Sequence, residues 1–580
     1  MLAFLRFNAF NPDQSHKLAL YRHCDCADVS AEHIRMTPIR EPGTVAVEAQ
    51  RTPLPTRLRR SHAERVAGIL LLILLAFYVF TSVRVSAARP LWMDEVLAAW
   101  ISRFGSLAGI WNAVAHGAEF SPPTYHLLLH AVDVGSGGGA LAMRLPSLVA
   151  ALGCSVVVFA IVRRRAAFPF AALAAALTLE LAIYNFVIQA RPYMLVTACF
   201  ALALLAWDRA GERMAAWRAV LIATALSLAI ALHFFASLLV GVLIGMEAVR
   251  TLATRRIRAR VFIALAVPVL SLAAWLPLMR SILRYNAGDT GASGYFARPT
   301  LASLLSAYGD LLLGSNAALL IGFMLIMAFA LLLRHFVPSR VAQEASTIAP
   351  CPAGSGRDLD FDILTAATVA IPLVVFAASV LITKTFNERY ALAAALGVAI
   401  LYARLVARLP GGAWIACGLL AVSCALWGVH ARRSLAPVAN PDLMLLQRAT
   451  GEQPIVIGEG LRYLQLAEAA DPALRRRLVF LRVPGAVSSD PTDEHQVERW
   501  MPLRPDLAIL DIGSFVAAHK AFYLFSSAEL KDVVTNHFVQ SGEIQSVVSN
   551  ALADGGESWL FTVQSGAGGA GPKVPPSDRR

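Results

Sequence analysis

Charge is scarce in this chain. Only 16% of its 580 residues are Asp, Glu, Lys or Arg, and 57% are hydrophobic. An ordinary soluble domain is about 25% charged and 45–50% apolar, so a soluble globular body is excluded. Cysteine is also scarce: Cys24, Cys26, Cys154, Cys199, Cys351, Cys417 and Cys424 are the full set, none of them in the polar C-terminal region. That excludes a disulfide framework there. Cys24-Asp25-Cys26 lacks the spacing of a zinc half-site and has no second pair. No apolar h-region opens the sequence, so a cleaved signal peptide is not expected. No GxGxxG or P-loop opens a helix in the C-terminal region, and nucleotide binding has no support.

Apolar runs approaching the roughly 20 residues that cross a bilayer are abundant. The mean hydropathy is +0.59. These features indicate a polytopic α-helical membrane protein. The formal net charge of +12 and pI of about 9.6 would suggest nucleic acid in a soluble protein. Here nearly all the basic charge is Arg in short loops between apolar runs, which the positive-inside rule explains. No nucleic-acid partner is expected.

Eleven spans are expected, near 66–86, 143–162, 166–182, 192–207, 217–232, 236–250, 261–283, 315–334, 362–382, 390–408 and 412–430. Residues 1–64 read as a disordered cytoplasmic tail, with Arg57, Arg59, Arg60 and Arg65 at its end holding the N-terminus inside. Residues 65–430 read as the membrane module, with a large first outer loop at 87–140. Stretches 122–134 and 301–314 read as interfacial helices or short spans. The loops on one side carry Arg163, Arg164 and Arg165, then Arg209, Arg213 and Arg218, then Arg255, Arg256, Arg258 and Arg260, then Arg334 and Arg340, then Arg404 and Arg408. That side is expected to be cytoplasmic. Beyond 431 the pattern changes to short apolar strands at 454–458, 478–481 and 507–511, with helical stretches at 461–470 and 493–502 between them. Strand and helix in alternation indicate a small α/β unit over 431–565, extracytoplasmic because the span number is odd. The Gly/Pro-rich tail 566–580 is expected to be disordered.

The polar residues that break the apolar pattern fall at the outer ends of the spans. Asp94 and Glu95 lie side by side just past the first span. Gln189-Ala190-Arg191-Pro192-Tyr193 places an Arg at a hydrocarbon edge; Pro192 alone reads as a first-turn proline. Lys384 to Tyr390 (KTFNERY) reads either as an outer loop with a Glu–Arg pair or as part of a site. Pro122-Pro123-Thr124-Tyr125-His126 reads as a loop stop before a helix or as a substrate contact. Arg144-Leu145-Pro146-Ser147 reads as a helix start. Outer cations with a few carboxylates suit an anionic, lipid-linked substrate, because Arg forks onto phosphate and Lys supplies a point charge.

Five of these pieces in chain order are similar to the GT-C membrane glycosyltransferases of the protein-mannosyltransferase-like branch (glycosyltransferase family 39), which includes aminoarabinose transferases and lipopolysaccharide galacturonosyltransferases. They are Leu91-Trp-Met-Asp-Glu95, Ser121-Pro-Pro-Thr-Tyr125, Met143-Arg-Leu-Pro-Ser147, Ala190-Arg-Pro-Tyr193 and Asn387-Glu-Arg-Tyr390. The resemblance covers roughly residues 60–430. It implies a multi-pass enzyme of the bacterial inner membrane, fed by a polyprenyl-phosphate sugar at the outer face, inverting the anomeric carbon, with a glycan, lipid or protein as acceptor. By that analogy Asp94 is the general base and Glu95 a second catalytic-site acid that orients the acceptor or helps hold a metal. Arg191, Lys384 and Arg389 would hold the donor phosphate, with Tyr125, His126, Tyr193 and Tyr390 as further substrate contacts. Ser121 departs from relatives that carry Lys before the paired prolines. No organic cofactor is expected; a divalent metal fits the chemistry, but no ligand set stands out. Two other readings stay open: a transporter or flippase of lipid-linked sugars, and a non-catalytic envelope assembly protein.

Overall fold

The computed structural model describes residues 61–285, 298–313, 357–436, 440–484, 507–527, 532–553 and 556–565, less 181–182 and 212–213. Its helical part runs α1 (His62–Ala88), α2 (Met93–Ser102), α3 (Leu107–Ala115), α4 (Thr124–Ser136), α5 (Ala140–Arg163), α6 (Phe168–Glu180), α7 (Ile183–Val187), α8 (Tyr193–Asp208), α9 (Ala216–Leu232), α10 (Ala236–Thr254), α11 (Ala259–Tyr285), α12 (Leu301–Leu313), α13 (Arg357–Val369), α14 (Ile371–Ala378), α15 (Ala394–Ala407) and α16 (Gly412–Arg433).

α1 starts where Ser61 and Glu64 form a reciprocal capping box, each side chain accepting from the other's backbone N–H. Its 27 residues extend about 40 Å, enough to cross a bilayer. α1, α5, α10, α11 and α16 are long and apolar enough to span; α13 and α14 make a sixth, bent by 47°. Pro372 in the first turn of α14 explains the break. With the shorter apolar helices α6, α8, α9 and α15, helices stand at ten of the eleven expected spans. The remaining one, 315–334, lies outside the described residues. Gly397 lets α15 approach α13: a Cβ there would stand 2.8 Å from that of Thr368.

Two helices anticipated as interfacial, at 122–134 and 301–314, are α4 and α12. The stretch 87–140, expected as an outer loop, contains α2, α3 and α4. The basic residues read as loop charge are partly tied into ion pairs. Asp208, at the end of α8, lies 2.6 Å from Arg165 and also pairs with Arg164. Glu247 accepts from Arg258 and from the Trp207 indole at 2.9 Å. Arg250 stands 3.2 Å from Asp360, and Arg404 pairs with Asp362. This network fastens the helix ends opposite Asp94.

The C-terminal region forms a six-stranded sheet of order β3-β2-β1-β4-β6-β5. The strands are β1 (Ile455–Ile457), β2 (Leu478–Arg482), β3 (Ile509–Asp511), β4 (Ala521–Ser527), β5 (Ile544–Ala553) and β6 (Gly556–Gln564). β1 to β4 pair in parallel, and β6 is antiparallel to β4 and β5. α17 (Pro441–Leu446) precedes β1; α18 (Gly460–Ala469), α19 (Pro472–Arg475), α20 (Ile512–Ala518) and α21 (Val533–Gln540) follow in the connections. The first three strands and α18 match the sequence expectation. The expected helix at 493–502 lies outside the described residues. β4 and the β5–β6 hairpin are additional, so the sheet is mixed and larger than the strand–helix alternation indicated. Gly458 has to be glycine: a Cβ there would meet the Asp532 carboxylate at 2.4 Å. Burial raises the pKa of Asp532, against the hydrogen bonds from Ser526 and Thr535 that lower it.

Candidate active site

The site forms where four chain segments meet at one end of the helices. α2 begins directly after the Arg89-Pro90 exit from α1, which puts Asp94 and Glu95 in its first turn. Acids are favoured there by the helix dipole. Consecutive helical residues point about 100° apart, and the two carboxylates accordingly part company.

Glu95 turns inward and is 1% exposed. It accepts from Arg144 Nε at 2.8 Å and Nη2 at 2.6 Å. It also accepts from the backbone N–H of Trp92 at 2.9 Å and of Ala190 at 2.5 Å. Arg144 spends its other donors on the carbonyls of Ser86, Arg89 and Pro90, at 2.8–2.9 Å. Glu95 was expected as a second catalytic-site acid; in the structure protein donors occupy both of its oxygens, and it sits in the frame behind Asp94. Arg144, read as a helix start, is the centre of that frame. Ser147, one turn further on, donates to the carbonyl of Gln189 at 2.8 Å. Met143-Arg-Leu-Pro-Ser147 therefore shapes the turn that presents Arg191.

Asp94 turns outward, with its side chain 32% exposed. Its Oδ2 accepts from Arg389 Nη1 at 2.9 Å and lies 3.6 Å from Arg191 Nη2. Arg191 also donates to the Asp94 carbonyl at 3.0 Å and pairs with Glu119 at 2.8 Å. The Nε–H groups of Arg191 and Arg389 are buried and have no acceptor among the described residues. Asn387 accepts from the Arg389 amide at 3.2 Å and so starts the short 3-10 turn Glu388–Ala391.

Glu119 is the second carboxylate of the cluster. Ser121 donates to it at 3.2 Å, and His126 Nε2 lies 3.0 Å away, off the hydrogen-bonding direction. Burial pushes the Glu119 pKa up, but Arg191 and His126 outweigh it and hold the carboxyl well below its ordinary value. Tyr125 is buried, its hydroxyl without a partner among the described residues, within electrostatic reach of Arg191.

Lys384 lies apart. It ends a π-helical turn (Ser379–Thr383) in the left-handed conformation at φ 58°, is exposed, and donates to the carbonyl of Val380 at 2.6 Å. Its described contacts do not join it to the cluster around Asp94.

Tyr193 and Tyr390 wall a narrow cleft that opens beside Arg389. Both tyrosine rings lie under the Arg389 guanidinium, 5.5 and 5.6 Å from it, and Tyr390 stacks on Phe235 at 3.8 Å. Val196, Leu239 and Leu392 add apolar side chains to the cleft's lining. His233 joins this lining, 5.4 Å from both tyrosines. Burial, then the two guanidiniums, push its pKa down to about 3, so the imidazole is neutral. Among the described residues no three His, Cys, Asp or Glu side chains converge on a metal position.

No family model and no curated protein matches the sequence. Solved structures do match. ArnT from Cupriavidus metallidurans in the apo state superposes with a TM-score of 0.55 at 14% identity, covering 85% of this chain and 98% of that one. The fold is that of the GT-C membrane glycosyltransferases. The same ArnT bound to undecaprenyl phosphate matches with a TM-score of 0.50 at 14% identity, over 87% of this chain and 99% of that one. An oligosaccharyltransferase from Archaeoglobus fulgidus, in complex with zinc and sulfate, gives 0.42 at 13% identity, over 80% and 68%.

Proposed function

We propose that the chain is an inverting glycosyltransferase of the bacterial inner membrane. It moves a sugar from a polyprenyl-phosphate donor to an acceptor hydroxyl on lipopolysaccharide, another envelope glycan or a protein. The N-terminus is cytoplasmic, and the site and the C-terminal sheet face outward. The observation that carries the reading is the bracketing of Asp94 by two arginines whose Nε–H groups are unspent. A phosphate seated there would take those donors in charge-assisted hydrogen bonds. The ArnT structure with undecaprenyl phosphate is a GT-C fold holding such a lipid.

The chemistry follows from the same contacts. In the resting site the guanidiniums are occupied by Asp94. Donor phosphate competes for them and frees the carboxylate at the moment the donor is in place. Asp94 then takes the proton of the acceptor hydroxyl while the oxygen attacks the anomeric carbon from the face opposite the phosphate. The C–O bond to phosphate breaks, and Arg191 and Arg389 stabilise the charge that collects there. A phosphate leaving group needs no proton, so one base suffices.

The test is mass spectrometry of envelope glycans and glycolipids from cells with and without the protein. Loss of one defined hexose, pentose or uronic acid is expected and would identify sugar and acceptor together. Identical glycans in the two strains would reject the reading.

A further inference from the structure

α2 has ten residues, too few to hold a helical position alone. Its place is set by what grips its two ends. The N-terminal end is held by the Glu95–Arg144 frame. The C-terminal end is held from another part of the molecule. Arg103, the residue that caps α2, donates Nη1 to both carboxylate oxygens of Glu468 on α18 at 2.8 Å. The Arg475 guanidinium of α19 lies 5.1 Å from the centre of the Trp100 ring. Locally, His130 Nδ1 meets the Ser102 carbonyl at 2.7 Å, and Asp133 is a looser second partner of Arg103 at 3.4 Å. The Arg103 and Glu468 side chains are 27% and 17% exposed, so salt screens the pair only partly.

From this we infer that the C-terminal α/β region positions the acid-bearing helix: the Arg103–Glu468 clamp sets how Asp94 meets Arg389 and Arg191. Arg103 lies about 13 Å along the helix axis from Asp94, and the intervening residues Val96 to Ser102 are all buried. A shift imposed at one end is therefore carried to the other. Arg103 and Glu468 touch no substrate and are positioning residues. The inference rests on the proposed function for Asp94, and it gives the C-terminal region a role that its own residues do not declare.

The experiment uses the full-length protein in proteoliposomes. It compares Glu468→Ala, Arg103→Ala, the double variant and Arg103→Lys for transfer kinetics, for undecaprenyl phosphate affinity, and for hydrogen exchange of the α2 amides. A displacement near 1 Å at a reacting group costs up to about a hundredfold in rate. Both alanine variants should lose about tenfold to a hundredfold in kcat with donor affinity unchanged. The double variant should be no worse than either single one, Arg103→Lys should recover part of the loss, and α2 exchange should rise about tenfold. Wild-type kcat in both single variants, or additive losses in the double, overturns the clamp. Losses matched by lost donor affinity also overturn it, because they mark general unfolding. Wild-type transfer by Asp94→Asn would reject the proposed function instead, and the exchange data would still decide whether the clamp exists.

Discussion

Replacing Arg144 by Met tests the frame that holds the site. The guanidinium is 3% exposed as a side chain and makes five hydrogen bonds, two to Glu95 and three to carbonyls at the end of α1. Breaking a buried ion pair from one side costs about 3–5 kcal/mol, because the remaining charge stays buried. The orphaned Ser86 carbonyl adds about 1 kcal/mol; those of Arg89 and Pro90 lie nearer solvent and add less. The sum, about 4–6 kcal/mol, is a large part of the 5–15 kcal/mol that keeps a folded protein folded. Thermal unfolding in detergent should shift down by about 5–10 °C. Glu95→Gln should cost a similar amount, since its amide turns donors toward Arg144. The double variant should cost clearly less than the sum, because neither partner is then left as an unpaired buried charge. An Arg144→Met protein that melts within a degree of wild type, or strictly additive costs, would refute this reasoning.

Arg389→Ala removes one charge-assisted phosphate contact worth about 1.5–3 kcal/mol. Undecaprenyl phosphate affinity, read by titration, should weaken about tenfold to a hundredfold, whereas Lys384→Ala should leave it unchanged. Gly458→Ala forces a methyl onto a carboxylate held by Ser526 and by the Thr535 amide at 2.6 Å. It should destabilise the sheet by about 1–3 kcal/mol, seen as an earlier proteolytic cut in the C-terminal region. Glu119, with its pKa held below the ordinary 4.5, contributes stability that is fully present above that value. That contribution fades as pH falls through the lowered folded value. The melting-temperature gap between wild type and Glu119→Gln should hold steady from pH 7 to 5 and narrow only in stronger acid.

Much of the membrane architecture was readable from the sequence because each span carries its own apolar run, a local signal. The strands of the parallel half were readable for the same reason: β1 is three consecutive buried residues, Ile455–Ile457. β4 was missed because its partners, β1 and β6, come from other segments of the chain; β5 and β6 pair with each other as sequence neighbours, a local signal that the strand–helix alternation passed over. The site divided along the same line. Asp94, Arg191 and Arg389 stood out as ionisable residues at outer helix ends, and the fold brings them together. Glu95 was grouped with Asp94 because the two are adjacent in sequence. A helix separates neighbours by about 100°, and Glu95's partner Arg144 is 49 residues away. Lys384 stood out for its charge, but its backbone conformation turns it onto its own turn. Glu119 and His233 joined the site through neighbours that no local pattern names.

The central claim is that Asp94 is the base of a sugar transfer, and one substitution tests it directly. Cells lacking the protein are complemented with wild type or with Asp94→Asn at equal membrane levels, and their envelope glycans are compared by mass spectrometry. Asn keeps the size and the Arg389 contact but cannot take the proton, a loss of about 10²- to 10⁴-fold. The account predicts that wild type restores the missing sugar and Asp94→Asn does not. Full restoration by Asp94→Asn would contradict it.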